Sequence, residues 1–241
     1  MNTFLAELVG TALLILLGNG VVANVVLNQT KGNASGWIVI TFGWAIAVFV
    51  GVFAVASYSG AHLNPAVTVA FAVKGAIPAS QVTVYLGGQF LGAALGAFLA
   101  WVHYKPHIEI TKDQGAKRAI FCTDPAIRHP LQNFISEVIG TFVLVFAVLL
   151  ITGAKVGDQA ASLGALDALP VALVVLGIGL CLGGTTGYAI NPARDLSPRM
   201  MHALLPIPDK GSSDWAYAWI PVLGPFTGGA LAAFLHSALL G

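Results

Sequence analysis

Charge is the scarcest thing in this sequence. Asp, Glu, Lys and Arg make up 9% of its 241 residues, against about 25% in a typical soluble chain. A chain so poor in charge is not a water-soluble globule, and 57% hydrophobic residues with a mean hydropathy of +0.84 mark an integral membrane protein. The formal net charge is +1 and no basic or acidic run occurs, which leaves no electrostatic footprint for nucleic acid or another charged macromolecule. Cysteine is nearly absent. Cys122 lies in a polar connection and Cys181 in an apolar segment, without metal-ligand spacing or reason to pair, so both read as structural. The apolar start from Phe4 to Val26 lacks a basic leader and a small-residue cleavage site, so it is expected to stay as a spanning helix. Lipid and a solute remain as partners, and no cofactor is expected.

What is present is apolar length. A spanning helix needs about 20 mostly apolar residues, and six segments qualify, near 3 to 26, 37 to 57, 81 to 103, 131 to 153, 168 to 184 and 217 to 239. Two further apolar segments, near 64 to 73 and 191 to 203, are too short to cross. Each begins at the same three residues, Asn64-Pro65-Ala66 and Asn191-Pro192-Ala193, inside Gly60-Ala61-His62-Leu63-Asn64-Pro65-Ala66-Val67 and Gly187-Tyr188-Ala189-Ile190-Asn191-Pro192-Ala193-Arg194-Asp195. Asn suits the position just before a helix, and Pro suits its first turn, where a missing N–H costs nothing. The extended backbone leading into such a half-helix survives at membrane depth only where it is buried in protein or lines a wet cavity. Two of them point to a pore.

The chain is also duplicated. Phe4-Leu5-Ala6-Glu7-Leu8-Val9-Gly10-Thr11 matches Phe134-Ile135-Ser136-Glu137-Val138-Ile139-Gly140-Thr141. The Asn-Pro-Ala copies follow, and Gly88-Gln89-Phe90-Leu91-Gly92 then matches Gly224-Pro225-Phe226-Thr227-Gly228. The predicted organisation is one channel domain over 1–241, with repeat one at 1–103, repeat two at 131–241 and a solvated connecting loop at 104–130. Three spans per repeat force the second into the bilayer inverted, so the half-helices enter from opposite faces and their positive N-terminal ends meet near the midplane. Glycines spaced by four, at Gly88, Gly92 and Gly96 and at Gly224 and Gly228, allow close helix contact.

Individual polar residues then sort by cost. Arg194 at membrane depth must face protein or water, which favours a filter role over an interfacial anchor. Glu7 and Glu137 are expected to hold the N–H groups of their repeat's re-entrant loop, with proton relay as the sharper alternative. His62 and His202 read as hydrogen-bonded loop residues, since no second ligand stands at useful spacing for a metal. The basic residues of the connections fall mostly on one face: Lys31, Lys105, Lys112, Lys117, Arg118, Arg128 and Lys210 against Lys74 and Lys155. Taken alone, that bias puts both termini outside.

These motifs together resemble the aquaporin superfamily across nearly the whole chain, and Asp195 after Arg194 is similar to its glycerol-conducting branch, the aquaglyceroporins. The resemblance implies an all-α membrane protein of six transmembrane helices plus two re-entrant half-helices, a homotetramer in the cell membrane with both termini in the cytoplasm. It implies a constriction at Trp44, Gly179, Tyr188 and Arg194, with Tyr188 standing where glycerol facilitators more often have Phe. Trp44 and Tyr188 would form an aromatic wall, Arg194 would donate to hydroxyls, and Gly179 would leave room. The extra hydroxyl of Tyr188 would narrow the opening or bond solute. Carbonyls of Gly60, Ala61 and His62, and of Gly187, Tyr188 and Ala189, would accept from passing hydroxyls, while the Asn64 and Asn191 amides donate at the centre.

The expected function is a passive channel for glycerol and small uncharged solutes, with some water, excluding ions and protons. A channel mainly for water, urea or protonated lactic acid is the nearest alternative. An intramembrane enzyme would need a paired nucleophile and base, which Glu7, Glu137, His62 and His202 do not offer. A non-conducting structural protein would need a blocked pore.

Overall fold

The computed structural model describes residues 1–240. Its helices run in the order α1 Thr3–Val26, α2 Trp37–Ser59, α3 Pro65–Val73, α4 Ala79–Ile110, α5 Gln114–Ala119, α6 Pro130–Leu150, α7 Leu169–Cys181, α8 Pro192–Leu204 and α9 Ile220–Leu240. A 3-10 turn, Gly164–Ala168, leads directly into α7, and with it six segments among the described residues are long and apolar enough to cross a membrane. The short helices α3 and α8 are the two half-spanning ones. Counting crossings, α3 opens toward the face that carries both termini and α8 toward the opposite face.

The repeats build equivalent pairs, α1 against α4 and α6 against α9. Lipid tails supply no hydrophobic drive between helices, so close backbone approach must hold them. A Cβ on Gly92 would come 2.3 Å from the Leu8 carbonyl oxygen, and one on Gly228 2.3 Å from that of Val138. Nothing larger than hydrogen fits there. Gly229 brings α9 within the same reach of α3, where a Cβ would stand 3.0 Å from the Ala66 carbonyl.

The connections and several span ends differ from expectation. The stretch 104–130 is not a solvated loop: α4 continues to Ile110, α5 follows, and Lys117, Ile120, Phe121, Cys122 and Thr123 are buried. Its mixed charge hides an apolar face, Trp101, Tyr104 and Ile108 at helical spacing, of which Ile108 is fully packed. Asp113 caps α5, its Oδ1 accepting from Gly115 N at 2.7 Å and Ala116 N at 3.1 Å. The fifth span ends at Cys181 rather than 184, where Gly183 and Gly184 open the turn into the second re-entrant segment. The connection after α6 also folds into a hairpin, Lys155–Val156 against Gln159–Ala160, about a Gly157-Asp158 turn whose glycine has φ 61°.

Candidate functional site

The two re-entrant segments have the same backbone. In the first, Gly60, Ala61 and Leu63 take φ of 79°, 51° and 51°; in the second, Gly187, Tyr188 and Ile190 take 78°, 38° and 44°. Left-handed backbone costs an ordinary residue roughly 1–2 kcal/mol, and four non-glycine residues adopt it here, so something must hold them. Two carboxylates do. Glu7 accepts from His62 N at 3.0 Å and Leu63 N at 2.7 Å, and also from Ser59 Oγ at 2.6 Å and Gln89 Nε2 at 2.8 Å. Glu137 accepts from Ala189 N at 3.0 Å, Ile190 N at 2.9 Å and Thr186 Oγ1 at 2.7 Å. Both carboxylates are buried, and each sits on the first helix of its repeat.

Each half-helix starts on its asparagine. Asn64 Oδ1 accepts from Ala66 N at 2.9 Å, and Asn191 Oδ1 from Ala193 N at 3.0 Å and Arg194 N at 3.2 Å. Pro65 and Pro192 occupy the first turn of α3 and α8. The amides then cross: Asn64 Nδ2 donates to the Ile190 carbonyl and Asn191 Nδ2 to the Leu63 carbonyl, both at 2.8 Å. The half-helices therefore meet tip to tip. One N–H of each amide is used in the clasp, leaving the other for the cavity beside it.

That cavity holds about 140 Å³. Gly60 to Asn64 and Tyr188 to Asn191 line it together with aliphatic side chains such as Val48, Leu144 and Val175. Trp44, Tyr188 and Arg194 also line it. The Arg194 guanidinium carbon lies 4.1 Å from the centre of the Trp44 ring, and no acceptor among the described residues takes a hydrogen bond from this side chain; its Nη1 is buried without a partner among them. His62 borders the cavity with Nδ1 3.1 Å from Thr68 Oγ1 and its ring stacked on Tyr85 at 4.4 Å.

Gly179, expected to leave room at the constriction, and Gly187, expected to offer a carbonyl to the pore, are not among the residues that line the cavity. Gly179 leaves no open room, because the Tyr188 ring fills it: a Cβ there would stand 2.9 Å from Tyr188 Cζ and 3.1 Å from its hydroxyl. The hydroxyl is itself buried against α7 without a partner, so it neither narrows the passage nor faces solute. Gly187 backs onto Thr123, whose Cγ2 would be 3.4 Å from an added Cβ.

A supporting layer escapes the motif reading. Gln89 bridges Glu7 to Thr68 Oγ1 at 2.9 Å, and Tyr85 donates to the Ser59 carbonyl at 2.6 Å. Asp195 accepts from Thr123 N at 2.7 Å, Thr123 Oγ1 at 2.6 Å and Arg199 Nε at 2.8 Å. Arg199 donates onward to the carbonyls of Thr123 and Ser213 at 3.0 and 2.7 Å. His202 Nδ1 lies 2.8 Å from Ser213 Oγ in the same buried layer. Repetition was the available signal: a hydroxyl residue precedes the glycine in both copies, Ser59-Gly60 and Thr186-Gly187. Burial pushes the Cys122 thiol up to about 12, with Asp195 adding to the effect, so it stays protonated and inert at neutral pH. Cys181 is exposed, and the two cysteines are unpaired.

Comparison with known proteins agrees in scope with this geometry. A glycerol uptake facilitator protein of Streptococcus pneumoniae is 54% identical over 237 residues, covering 98% of this chain and 99% of that one. A probable glycerol uptake facilitator protein of Thermotoga maritima is 52% identical with the same coverage. The X-ray structure of the aquaglyceroporin from Plasmodium falciparum superposes with a TM-score of 0.85 at 29% identity, over 99% of this chain and 96% of that one. The major intrinsic protein family matches residues 1–236, and with six apolar spans and two opposed half-helices this chain belongs to that family as a multi-pass protein of the cell membrane.

Proposed function

We propose that this protein is a passive channel for glycerol and other small uncharged solutes, admitting some water and excluding ions and protons. The observation that carries this reading is one part of the cavity lining. Two aromatic rings, Trp44 and Tyr188, share it with a guanidinium that has no acceptor among the described residues. Glycerol has a carbon side and a hydroxyl side, which suit the rings and the guanidinium donors respectively. Arg194 lies on the Trp44 ring, so a solute enters by taking up those donors as it slides along the aromatic wall. The high identity to glycerol uptake facilitators supports the same solute class.

Beyond the filter, carbonyls of Gly60, Ala61, His62, Tyr188 and Ala189 border the passage as acceptors that replace lost hydration, and Asn64 and Asn191 each keep an N–H for the passing hydroxyl. The half-helix ends place positive potential at the centre, and Arg194 adds a second barrier to cations and protons. Glu7 and Glu137 act as loop supports, not proton relays, because their oxygens are occupied by backbone and side-chain donors. The repeats at 1–103 and 131–241 contribute one half-helix each, the termini lie in the cytoplasm, and four subunits each carry a pore.

Purified protein in liposomes, subjected to a glycerol step and followed by light scattering, tests this. Re-swelling faster than in empty vesicles is expected, with no conductance to sodium or protons. Equal rates in both would overturn it. Water, urea and lactic acid at low pH, run in the same vesicles, distinguish the alternative solutes.

A further inference from the structure

We infer that Trp37 is a positioning residue for the solute filter, setting its width by holding the Tyr188 ring in place. It lies outside the four constriction positions, on the first turn of α2, at the face of the membrane opposite the termini. Its indole N–H donates at 3.0 Å to the carbonyl of Gly179, one of the carbonyls that the end of α7 leaves without an intrahelical partner. Its ring meets the Tyr188 ring edge to face, with centroids 5.8 Å apart and planes at 81°. The same indole closes the slot in which Tyr188 is seated: a Cβ on Gly183 would come 3.0 Å from Trp37 Cζ2 and 2.4 Å from Tyr188 Cδ1.

Tyr188 needs such a brace. Its backbone is in the left-handed region at φ 38°, its hydroxyl has no partner, and no hydrogen bond from its own side chain fixes the ring. Packing alone positions it. Gly179 on α7 and Gly183 in the turn just after it form the floor of the slot, and Trp37 from the first repeat forms the outer wall. Edge-to-face contact is directional, so the indole fixes the tilt of the ring as well as its depth. With Trp37 shortened, the Tyr188 ring can swing outward into the vacated volume, and the constriction widens on its aromatic side.

The inference rests on the channel reading above, and its test separates the two. Proteoliposomes with wild type, Trp37→Phe and Trp37→Leu are challenged with glycerol and with a linear five-carbon polyol such as xylitol. The readout is the ratio of the two permeabilities, which does not depend on how much channel is folded. Trp37→Leu is expected to raise the xylitol-to-glycerol ratio severalfold. Trp37→Phe keeps the ring edge but loses the N–H, so a smaller rise in the same direction is expected, and it serves as the test should the leucine variant fail to insert. Glycerol flux through the wild type with an unchanged ratio in the variants overturns the role of Trp37. Absence of glycerol flux in the wild type overturns the channel reading instead.

Discussion

Tyr188 turns its hydroxyl toward α7 and its ring toward the passage, so chemistry that distinguishes it from phenylalanine is hidden from solute. Replacing Tyr188 by Phe is therefore expected to leave the glycerol-to-water permeability ratio unchanged. The melting temperature should hold or rise, because a buried hydroxyl without a partner costs about 1–3 kcal/mol. Gly179 is the sensitive position. Gly179→Ala places a methyl 2.9 Å from Tyr188 Cζ and should push the ring into the passage, lowering glycerol flux more than water flux in the same stopped-flow assay. That Tyr188 borders the cavity was legible from its place in the re-entrant segment. Where its hydroxyl points was not, since that depends on two glycines and an indole from other elements.

The strained re-entrant segments and the carboxylates that hold them belong together. Glutamine in place of Glu137 keeps one oxygen but turns an amide toward the second backbone donor, leaving Ala189 N or Ile190 N unpaired. A buried donor without a partner costs about 1–3 kcal/mol, so Glu137→Gln should lower the thermal unfolding midpoint in detergent. Glycerol and water flux should fall together, because backbone geometry and not solute preference is lost. Selective loss of glycerol flux alone would instead place Glu137 in contact with solute. Between elements, Gly92→Val brings side-chain carbon onto the Leu8 carbonyl and should prevent α1 and α4 from closing, seen as aggregation on size exclusion. The glycine stripes and both glutamates were readable because duplication marks them twice. Gln89 was not, as its repeat partner is Pro225 and nothing repeats its bridge to Thr68.

For the molecule as a whole, the unusual feature is its cation distribution, which by count favours termini on the outside. The packing gives those cations other work. Lys117 donates to the Pro208 carbonyl at 2.5 Å, Lys210 to those of Ala203 and Leu205 at the end of α8 at 2.6 and 2.7 Å. Arg118 pairs with Asp124 at 2.5 Å, and Arg128 pairs with Asp214. Lys117 and Arg128 tie the 104–130 and 205–219 connections together, a structural demand independent of which side of the membrane they face. With termini in the cytoplasm, a cysteine introduced by Lys112→Cys, in a background with Cys122 and Cys181 replaced by serine, is expected to react with a membrane-impermeant maleimide added to intact cells. Reaction only after permeabilisation would reverse the orientation.

The sequence by itself determined the number of spans, the inverted repeat, the two helix starts at Asn64 and Asn191 and the cost that places Arg194 beside water or protein. Those follow from apolar length, capping chemistry and duplication, which are local or repeated along the chain. Only the tertiary structure decided that Asn64 donates to the Ile190 carbonyl and Asn191 to that of Leu63, that Gly179 seats the Tyr188 ring, and that 104–130 folds down through Thr123 onto Asp195. Each of those contacts joins residues of different elements through a single side chain or a missing one, and no periodicity records such a meeting.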